Sequence, residues 1–249
     1  MIKKFFITLF IIGMFLSAEK AFSQGAFNVY DNPGQYMGPE TLHQENILII
    51  LDCSLSMEDE IHGQPKIDIA REVISKVLSQ MPGNIPVGLR VYGHKRSLSK
   101  SFLSFDQCEV SELVVPVGVN NRRRIFQELS KLRAVGMTPI CYSIDQSVHH
   151  DFEGMPGEKR IILVSDGMET CNGSPCDFAV ELIKNGVDVK IDVIGFDLSS
   201  NPDAQKHLKC AALVTNGRYY SANSPEQFLK SLQDSFSVSR EVQGKIFIK

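Results

Sequence analysis

The chain has 249 residues, of which 43% are hydrophobic, and a formal net charge of −3. This length and apolar content suffice for one folded domain of about 200 residues with a substantial core. The mildly acidic balance excludes a typical nucleic-acid-binding protein, because the longest basic run is Arg122–Arg124. Beyond the N-terminal region no apolar segment approaches the ~20 residues of a membrane-spanning helix, so we expect no membrane span in the mature chain.

Residues 1–23 have the organisation of a signal peptide. Lys3 and Lys4 precede an apolar stretch, residues 5–16, which is followed by small residues. We predict cleavage before Gln24 and export to a periplasm or out of the cell. An uncleaved membrane anchor is the alternative.

Candidate strands and helices alternate from residue 46 to residue 237, which is typical of βαβ units. The candidate strands are Asn46–Asp52, Pro86–Tyr92, Leu113–Val117, Lys159–Ser165, Val187–Gly195 and Gly217–Ser221. The candidate helices are Lys66–Gln80, Asn121–Arg133, Pro139–His150, Pro175–Lys184, Pro202–Leu213 and Pro225–Ser237. We predict a Rossmann-like α/β fold with an open, mainly parallel six-stranded sheet and helices on both faces.

Three segments complete this domain plan. Residues 91–117 have no helical pattern, so one edge strand is expected to be antiparallel. Residues 24–45 are interpreted as a lead segment. Residues 238–249 form a C-terminal extension with a short strand predicted from Val242 to Lys249.

The first strand ends in a cluster of oxygen-bearing side chains. Five aliphatic residues, Ile47–Leu51, indicate a strand buried on both faces, and Asp52, Ser54 and Ser56 follow it. Ligands of open α/β sheets bind at the carboxyl ends of strands, and such oxygens suit a hard cation. In the structural alternative, the two serines only cap a helix.

Two later loops are candidates to complete this site. Residues 161–165 form another apolar strand, and Asp166 follows it directly. Thr138 precedes the helix that is predicted to begin at Pro139. Each residue also has a structural interpretation, since Asp166 with Gly167 is a common turn sequence and Thr138 is a common N-cap.

Six cysteines in an exported chain permit disulfides without implying a disulfide-built scaffold. Cys171 and Cys176 are predicted to form a bridge, because four intervening residues form a loop that brings their Cα atoms close. Cys53 and Cys141 are expected to remain buried thiols, with a bridge between them as the alternative. The sequence assigns no partner to the remaining two, Cys108 and Cys210.

Together these motifs resemble the von Willebrand factor type A (VWA) family, including its bacterial exported branch. That family carries a metal-ion-dependent adhesion site (MIDAS) built from a DxSxS motif, a threonine and an aspartate on three loops. The positions that match this site are Asp52, Ser54, Ser56, Thr138 and Asp166. The resemblance covers roughly residues 45–237, and Cys53 and Leu55 replace the small residues often found between the first ligands.

The resemblance implies a non-enzymatic module that binds a partner protein through the metal. Two carboxylates and three hydroxyls suit Mg²⁺ or Mn²⁺, with Ca²⁺ as a third candidate. The partner would supply an Asp or Glu carboxylate to the open coordination position.

Two other functions compete with this interpretation. A phosphohydrolase of the haloacid dehalogenase type would use Asp52 as a nucleophile beside Mg²⁺, but it requires a second acid where Ser54 stands. A VWA-like interaction domain with a vestigial metal site is the other. The sequence does not identify the partner, the pathway, the organism or the oligomeric state.

Overall fold

The computed structural model describes residues 45–96 and 104–244. These residues belong to one compact unit, which clusters as residues 42–249. The predicted signal peptide, residues 24–44 of the lead segment and residues 245–249 lie outside the described residues.

The described chain contains eight strands and six α-helices. In chain order they are β1 (Glu45–Asp52), β2 (Glu60–Ile61), β3 (Gln64–Pro65), α1 (Lys66–Gln80), β4 (Val87–Tyr92), β5 (Ser111–Gly118), α2 (Arg122–Leu129), α3 (Ile140–Gln146), β6 (Glu158–Ser165), α4 (Pro175–Lys184), β7 (Lys190–Phe196), α5 (Pro202–Val214), β8 (Tyr219–Ala222) and α6 (Pro225–Gly244). β2 and β3 form a small separate hairpin.

The main sheet has six strands in the order β5-β4-β1-β6-β7-β8. Its pairs are parallel except β4 with β5, which is antiparallel. The predicted α/β sheet with one antiparallel edge strand is therefore confirmed. The parallel strands bring the loops that follow β1, β4 and β6 to the same edge of the sheet.

Both faces of the sheet are covered, as the apolar run in β1 predicts. Ile47, Ile49 and Leu51 pack with residues of α1, α2 and α6 on one face. Leu48 and Ile50 point to the other face and pack with residues of α3, α4 and α5. Burial on both faces fixes the central strand, and with it the position of the loop that follows.

Several helices and strands begin or end at residues other than the predicted ones. α2 ends at Leu129 instead of Arg133, and α3 ends at Gln146, where a π-helical turn takes over to Asp151. β7 begins at Lys190 instead of Val187, because the Val187 N–H donates to the carbonyl of Leu182 in the C-terminal cap of α4. Gly186, with φ +75°, ends that helix as expected.

The largest difference lies at the C-terminal end of the described residues. α6 continues to Gly244, where the sequence analysis predicted a strand from Val242. The strand prediction is wrong for residues 242–244. Among the described residues, no helix is long and apolar enough to cross a membrane.

Candidate metal site

Asp52 is a fully buried carboxylate at the end of β1. Its Oδ1 accepts a hydrogen bond from the backbone N–H of Ser54 at 2.7 Å. Its Oδ2 accepts bonds from the Tyr92 hydroxyl at 2.8 Å and from the Ser165 hydroxyl at 2.7 Å. The carboxylate is thus oriented by β4 and β6, the two strands that flank β1.

The Ser54 and Ser56 hydroxyls lie in the loop and do not act as helix caps. Ser54 precedes a short 3₁₀ turn, Leu55–Glu58, but its side chain makes no capping hydrogen bond, and the N-cap of α1 is Pro65. The two hydroxyl oxygens are instead 3.2 Å apart. The structural alternative of helix capping is therefore wrong.

Asp166 joins this cluster from the loop after β6. Its Oδ1 accepts a hydrogen bond from the Ser56 hydroxyl at 2.7 Å. Four of the five predicted site residues, Asp52, Ser54, Ser56 and Asp166, therefore come together through direct contacts or through Ser165, which precedes Asp166. The simple turn interpretation does not account for this carboxylate, since its oxygens bond to the Ser56 and Lys66 side chains, which are distant in sequence.

Glycines allow the loop after β4 and the loop before α3 to approach the loop that carries the DxSxS motif. Gly93 has φ +70°, and a Cβ placed there would lie 2.7 Å from the Ser54 nitrogen. A Cβ on Gly136 would lie 2.9 Å from Gly93 Cα. Gly136 forms an isolated parallel bridge with Ser54, and its carbonyl accepts the Leu55 N–H at 3.1 Å. The backbones of three loops are thus in direct contact.

Thr138 is held by the loop that carries Asp166. Its N–H donates to the Thr170 hydroxyl at 2.9 Å, and its carbonyl accepts the Thr170 N–H at 3.2 Å. α3 begins at Ile140 with Pro139 as its N-cap and no side-chain cap, so Thr138 is not an N-cap. Its backbone therefore links the loop before α3 to the loop after β6.

The segment after Asp166 is further ordered by a carboxylate. Glu169 accepts the Cys141 N–H at 2.7 Å through one oxygen and the Cys171 N–H at 2.8 Å through the other. These bonds fix the start of α3 against the loop that contains Thr170. Hydrogen bonds within the protein therefore hold these two segments against each other.

Burial and charge together perturb the acidic pair. Burial raises the pKa of Asp52 to about 6, and the negative charge of Asp166 adds to the rise, while the hydrogen bonds from Ser54 and Ser165 oppose it. A cation placed between the carboxylates would relieve this repulsion. The donor set of two carboxylates and neighbouring hydroxyls is chemically suited to a hard divalent cation.

Within residues 45–96 and 104–244, no group of three or more His, Cys, Asp and Glu side chains could hold a metal ion by itself. A metal at this edge of the sheet would therefore depend on the serine and threonine hydroxyls. That dependence is the expected one for the DxSxS pattern.

The disulfides differ from the predicted pairing. Cys171 bridges to Cys108 and Cys176 bridges to Cys210, so the predicted Cys171–Cys176 bridge is wrong. Cys176 lies in the first turn of α4 and reaches α5, which packs beside it, whereas Cys171 lies in the preceding loop. The other two cysteines remain thiols, with Cys53 buried and Cys141 only partly buried.

Sequence reasoning missed several residues that organise the site. Tyr92, Ser165, Thr170 and Glu169 position the predicted side chains, and Lys66 makes an ion pair with Asp166. Their positions at the ends of β4 and β6 or just beyond the Asp166 turn were the only available signal. Lys66 gave none, since a lysine at the start of a helix is ordinarily exposed.

The chain is similar to a known protein family over most of its length. The model of the von Willebrand factor type A domain matches residues 46–235. The uncharacterized protein YwmD of Bacillus subtilis (strain 168) is 30% identical over 187 residues, which cover 74% of this chain and 81% of YwmD.

Solved structures with low sequence identity share the fold. The VWA domain of the type V pili tip protein Mfa5 from Porphyromonas gingivalis has a TM-score of 0.60 at 12% identity, covering 82% of this chain and 97% of that one. Proximal thread matrix protein 1 from the mussel byssus, with a zinc-occupied MIDAS motif, has a TM-score of 0.56 at 14% identity, covering 79% and 46%.

Proposed function

Because this chain belongs to the von Willebrand factor type A family, we propose that it is a non-enzymatic module that binds a partner protein through a divalent cation. In this proposal the residues that hold the cation are Asp52, Ser54, Ser56, Thr138 and Asp166. The main support is the contact between the Ser54, Ser56 and Asp166 oxygens at the edge of the sheet.

The donor chemistry selects the candidate ions. Carboxylates and hydroxyls are hard ligands, which favour Mg²⁺ or Mn²⁺, with Ca²⁺ as a further candidate. Zinc belongs in the same test, since the mussel protein is described with zinc in this motif. The bound ion would act as a Lewis acid with an open position that accepts a ligand.

The proposed ligand is an Asp or Glu carboxylate of the partner. Two carboxylates and three neutral hydroxyls compensate the ion's charge only in part when one carboxylate acts through water. A partner carboxylate would complete the charge balance and the coordination. VWA domains are generally interaction modules.

We propose that the protein acts outside the cytoplasm, in a periplasm or beyond the cell. The two disulfides, Cys108–Cys171 and Cys176–Cys210, are typical of oxidising compartments. The signal peptide proposed for residues 1–23 supports the same location. Intact Met1 in the bulk of the native protein, found by mass spectrometry, would contradict export with cleavage.

Thermal unfolding with added metal tests the site. A ligand that binds only the native state at a hundredfold excess over its dissociation constant stabilises by about 2.7 kcal/mol. Mg²⁺ or Mn²⁺ should produce this stabilisation in the wild type, and Asp52→Ala should abolish it. Asp188→Ala, at an exposed position before β7, is the matched control and should respond like the wild type.

Partner binding requires a separate experiment. Capture of envelope proteins by the immobilised chain should be lost with a chelator and restored by Mg²⁺, and Thr138→Ala should weaken it without unfolding the domain. Metal-independent capture would favour a vestigial site. Steady Mg²⁺-dependent release of phosphate from simple phosphoesters, abolished by Asp52→Asn, would overturn the proposal in favour of the phosphohydrolase.

A further inference from the structure

Lys66 occupies an electrostatically unfavourable position. It is the first residue of α1, and only 7% of its side chain is exposed. The N-terminus of a helix carries a partial positive charge, which disfavours a cation there, and burial adds a desolvation penalty. A residue that breaks two local rules together is expected to serve the site and not the helix.

The Lys66 ammonium is held between carboxylates from two adjacent strand ends. Its Nζ lies 3.0 Å from Asp166 Oδ2 and 3.1 Å from Asp197 Oδ2. Asp59 is more distant, at 3.8 Å, and its side chain is 73% exposed. Burial by itself lowers the pKa of Lys66, but Asp166 and Asp197 outweigh that effect and hold it above its ordinary value.

Asp197 has an unusual backbone conformation. Asp197 follows β7 with φ +56°, in the left-handed region that Asp and Asn tolerate better than most residues. Its N–H donates to the Ala222 carbonyl at 2.7 Å, which fixes this conformation at the end of β7. The second acceptor for Lys66 is therefore part of the folded framework.

This geometry divides the Asp166 carboxylate between two roles. Oδ2 is engaged by Lys66, and Oδ1 accepts the Ser56 hydroxyl, which belongs to the proposed donor set. The ammonium therefore competes with a metal for the charge of Asp166. It also adds a positive charge beside any ion bound there, which strengthens the attraction for an anionic ligand.

We propose that Lys66 is a positioning residue that sets the balance of the site: its charge weakens the binding of the divalent cation and strengthens the hold of the bound cation on a partner carboxylate. This inference rests on the proposed function, because it concerns the same site. A lysine is suited to this role, since its ammonium is a mobile point charge.

The first test measures Mg²⁺ affinity by calorimetry at fixed ionic strength. Lys66→Met should bind Mg²⁺ roughly tenfold or more tightly than the wild type, because a competing charge is removed. Lys66→Arg should stay within about threefold of the wild type. Lys190→Met is the matched control, since Lys190 pairs with Glu158 at the opposite end of the sheet, and its affinity should not change.

Asp197→Asn is a second variant, with an expected shift of opposite sign. It keeps a residue that tolerates the backbone conformation but leaves Lys66 with Asp166 as its main acceptor. Mg²⁺ affinity should fall about threefold or more. This variant keeps the proposal testable if Lys66→Met does not fold. A purely structural ion pair would change the melting temperature of both variants without moving the two affinities in opposite directions.

A third measurement uses acetate as the carboxylate probe on Mg²⁺-saturated protein. Acetate should bind Lys66→Met more weakly than the wild type. Unchanged Mg²⁺ affinity in Lys66→Met and Asp197→Asn, with wild-type binding intact, would overturn the role of Lys66 alone. Absence of Mg²⁺ and Mn²⁺ binding in the wild type and in both variants would overturn the proposed function as well.

Discussion

The two ends of the sheet each bury a cation between two carboxylates, but they use its bonds differently. At the amino end, Arg160 pairs with Glu45 at 2.6 Å and with Asp192 at 3.3 Å. Asp192 also accepts the Arg218 N–H at 2.8 Å and the Ser235 hydroxyl at 2.8 Å. This cluster joins β6, β7 and α6 through ion pairs and hydrogen bonds whose partners all belong to the fold.

At the carboxyl end, Lys66 pairs with Asp166 and Asp197, and the Ser56 hydroxyl donates a hydrogen bond to Asp166. The Ser54 hydroxyl contacts the Ser56 hydroxyl, although Ser54 stands at the cap position of the following turn. A planar guanidinium fixes its partners, whereas an ammonium tolerates rearrangement. The comparison indicates that the amino-end cluster stabilises the fold, whereas the carboxyl-end cluster lies within the proposed metal site.

The largest expected effect comes from breaking the amino-end cluster. Asp192→Ala should lower the free energy of unfolding by about 3–5 kcal/mol, since it leaves a buried guanidinium short of a partner. Urea denaturation measures this change. The stabilisation by Mg²⁺ should match that of the wild type. Lys190→Gln, at a half-exposed ion pair, should cost at most ~1 kcal/mol. If both variants lose the same free energy, the amino-end cluster has no special structural role.

A smaller effect is expected from the bridge beside the carboxyl-end cluster. The double variant Cys108→Ser/Cys171→Ser should lose about 2–4 kcal/mol of stability and also bind Mg²⁺ more weakly, because Cys171 adjoins the Thr170 and Glu169 contacts. Calorimetry and urea denaturation measure the two effects.

Its control is the double variant Cys176→Ser/Cys210→Ser, which removes the bridge between α4 and α5. This control should lose a similar free energy of unfolding and keep its Mg²⁺ affinity. Equal losses of affinity in the two double variants would indicate a general loosening instead of a local one.

The smallest effect concerns a single hydrogen bond. Thr170→Val removes the acceptor of the Thr138 N–H and should cost about 1 kcal/mol in stability. Because Thr138 belongs to the proposed donor set, the variant should also bind Mg²⁺ more weakly. A loss of stability of this size would not by itself lower the Mg²⁺ affinity of the folded protein. Ser130→Ala, at an exposed position after α2, should change neither quantity. A Thr170→Val variant with wild-type Mg²⁺ affinity would exclude this bond from the organisation of the site.

The sheet and four side chains of the candidate site could be predicted because both depend on local patterns. A continuous apolar run specifies a strand buried on both faces, and the residues after it must lie at the carboxyl edge. Asp52, Ser54, Ser56 and Asp166 were placed at this edge in this way, and their role as metal ligands stays a prediction. The boundaries of β7 and α3 were less predictable, since backbone caps and a π turn decide them.

Lys66 and the disulfide pairing could not be predicted for a different reason. The two close acceptors of Lys66 lie just after β6 and β7, and the nearer one in sequence, Asp166, is 100 residues away. No local pattern in α1 therefore indicates them. For Cys171 and Cys176, the spacing gave the reach of the chain but not the direction of each side chain. The onset of α4 between them sends the two cysteines to different partners.

The Cys108–Cys171 bridge has a consequence for how a partner would arrive. It connects the segment after β4 with the segment after β6, and these strands lie on either side of β1. The bridge therefore limits how far the flanking loops can separate around the DxSxS loop. Loops joined by a bridge would lose less conformational entropy on docking than the same loops without it. If the proposed partner docks at this edge, the bridged loops would favour one whose shape already fits them.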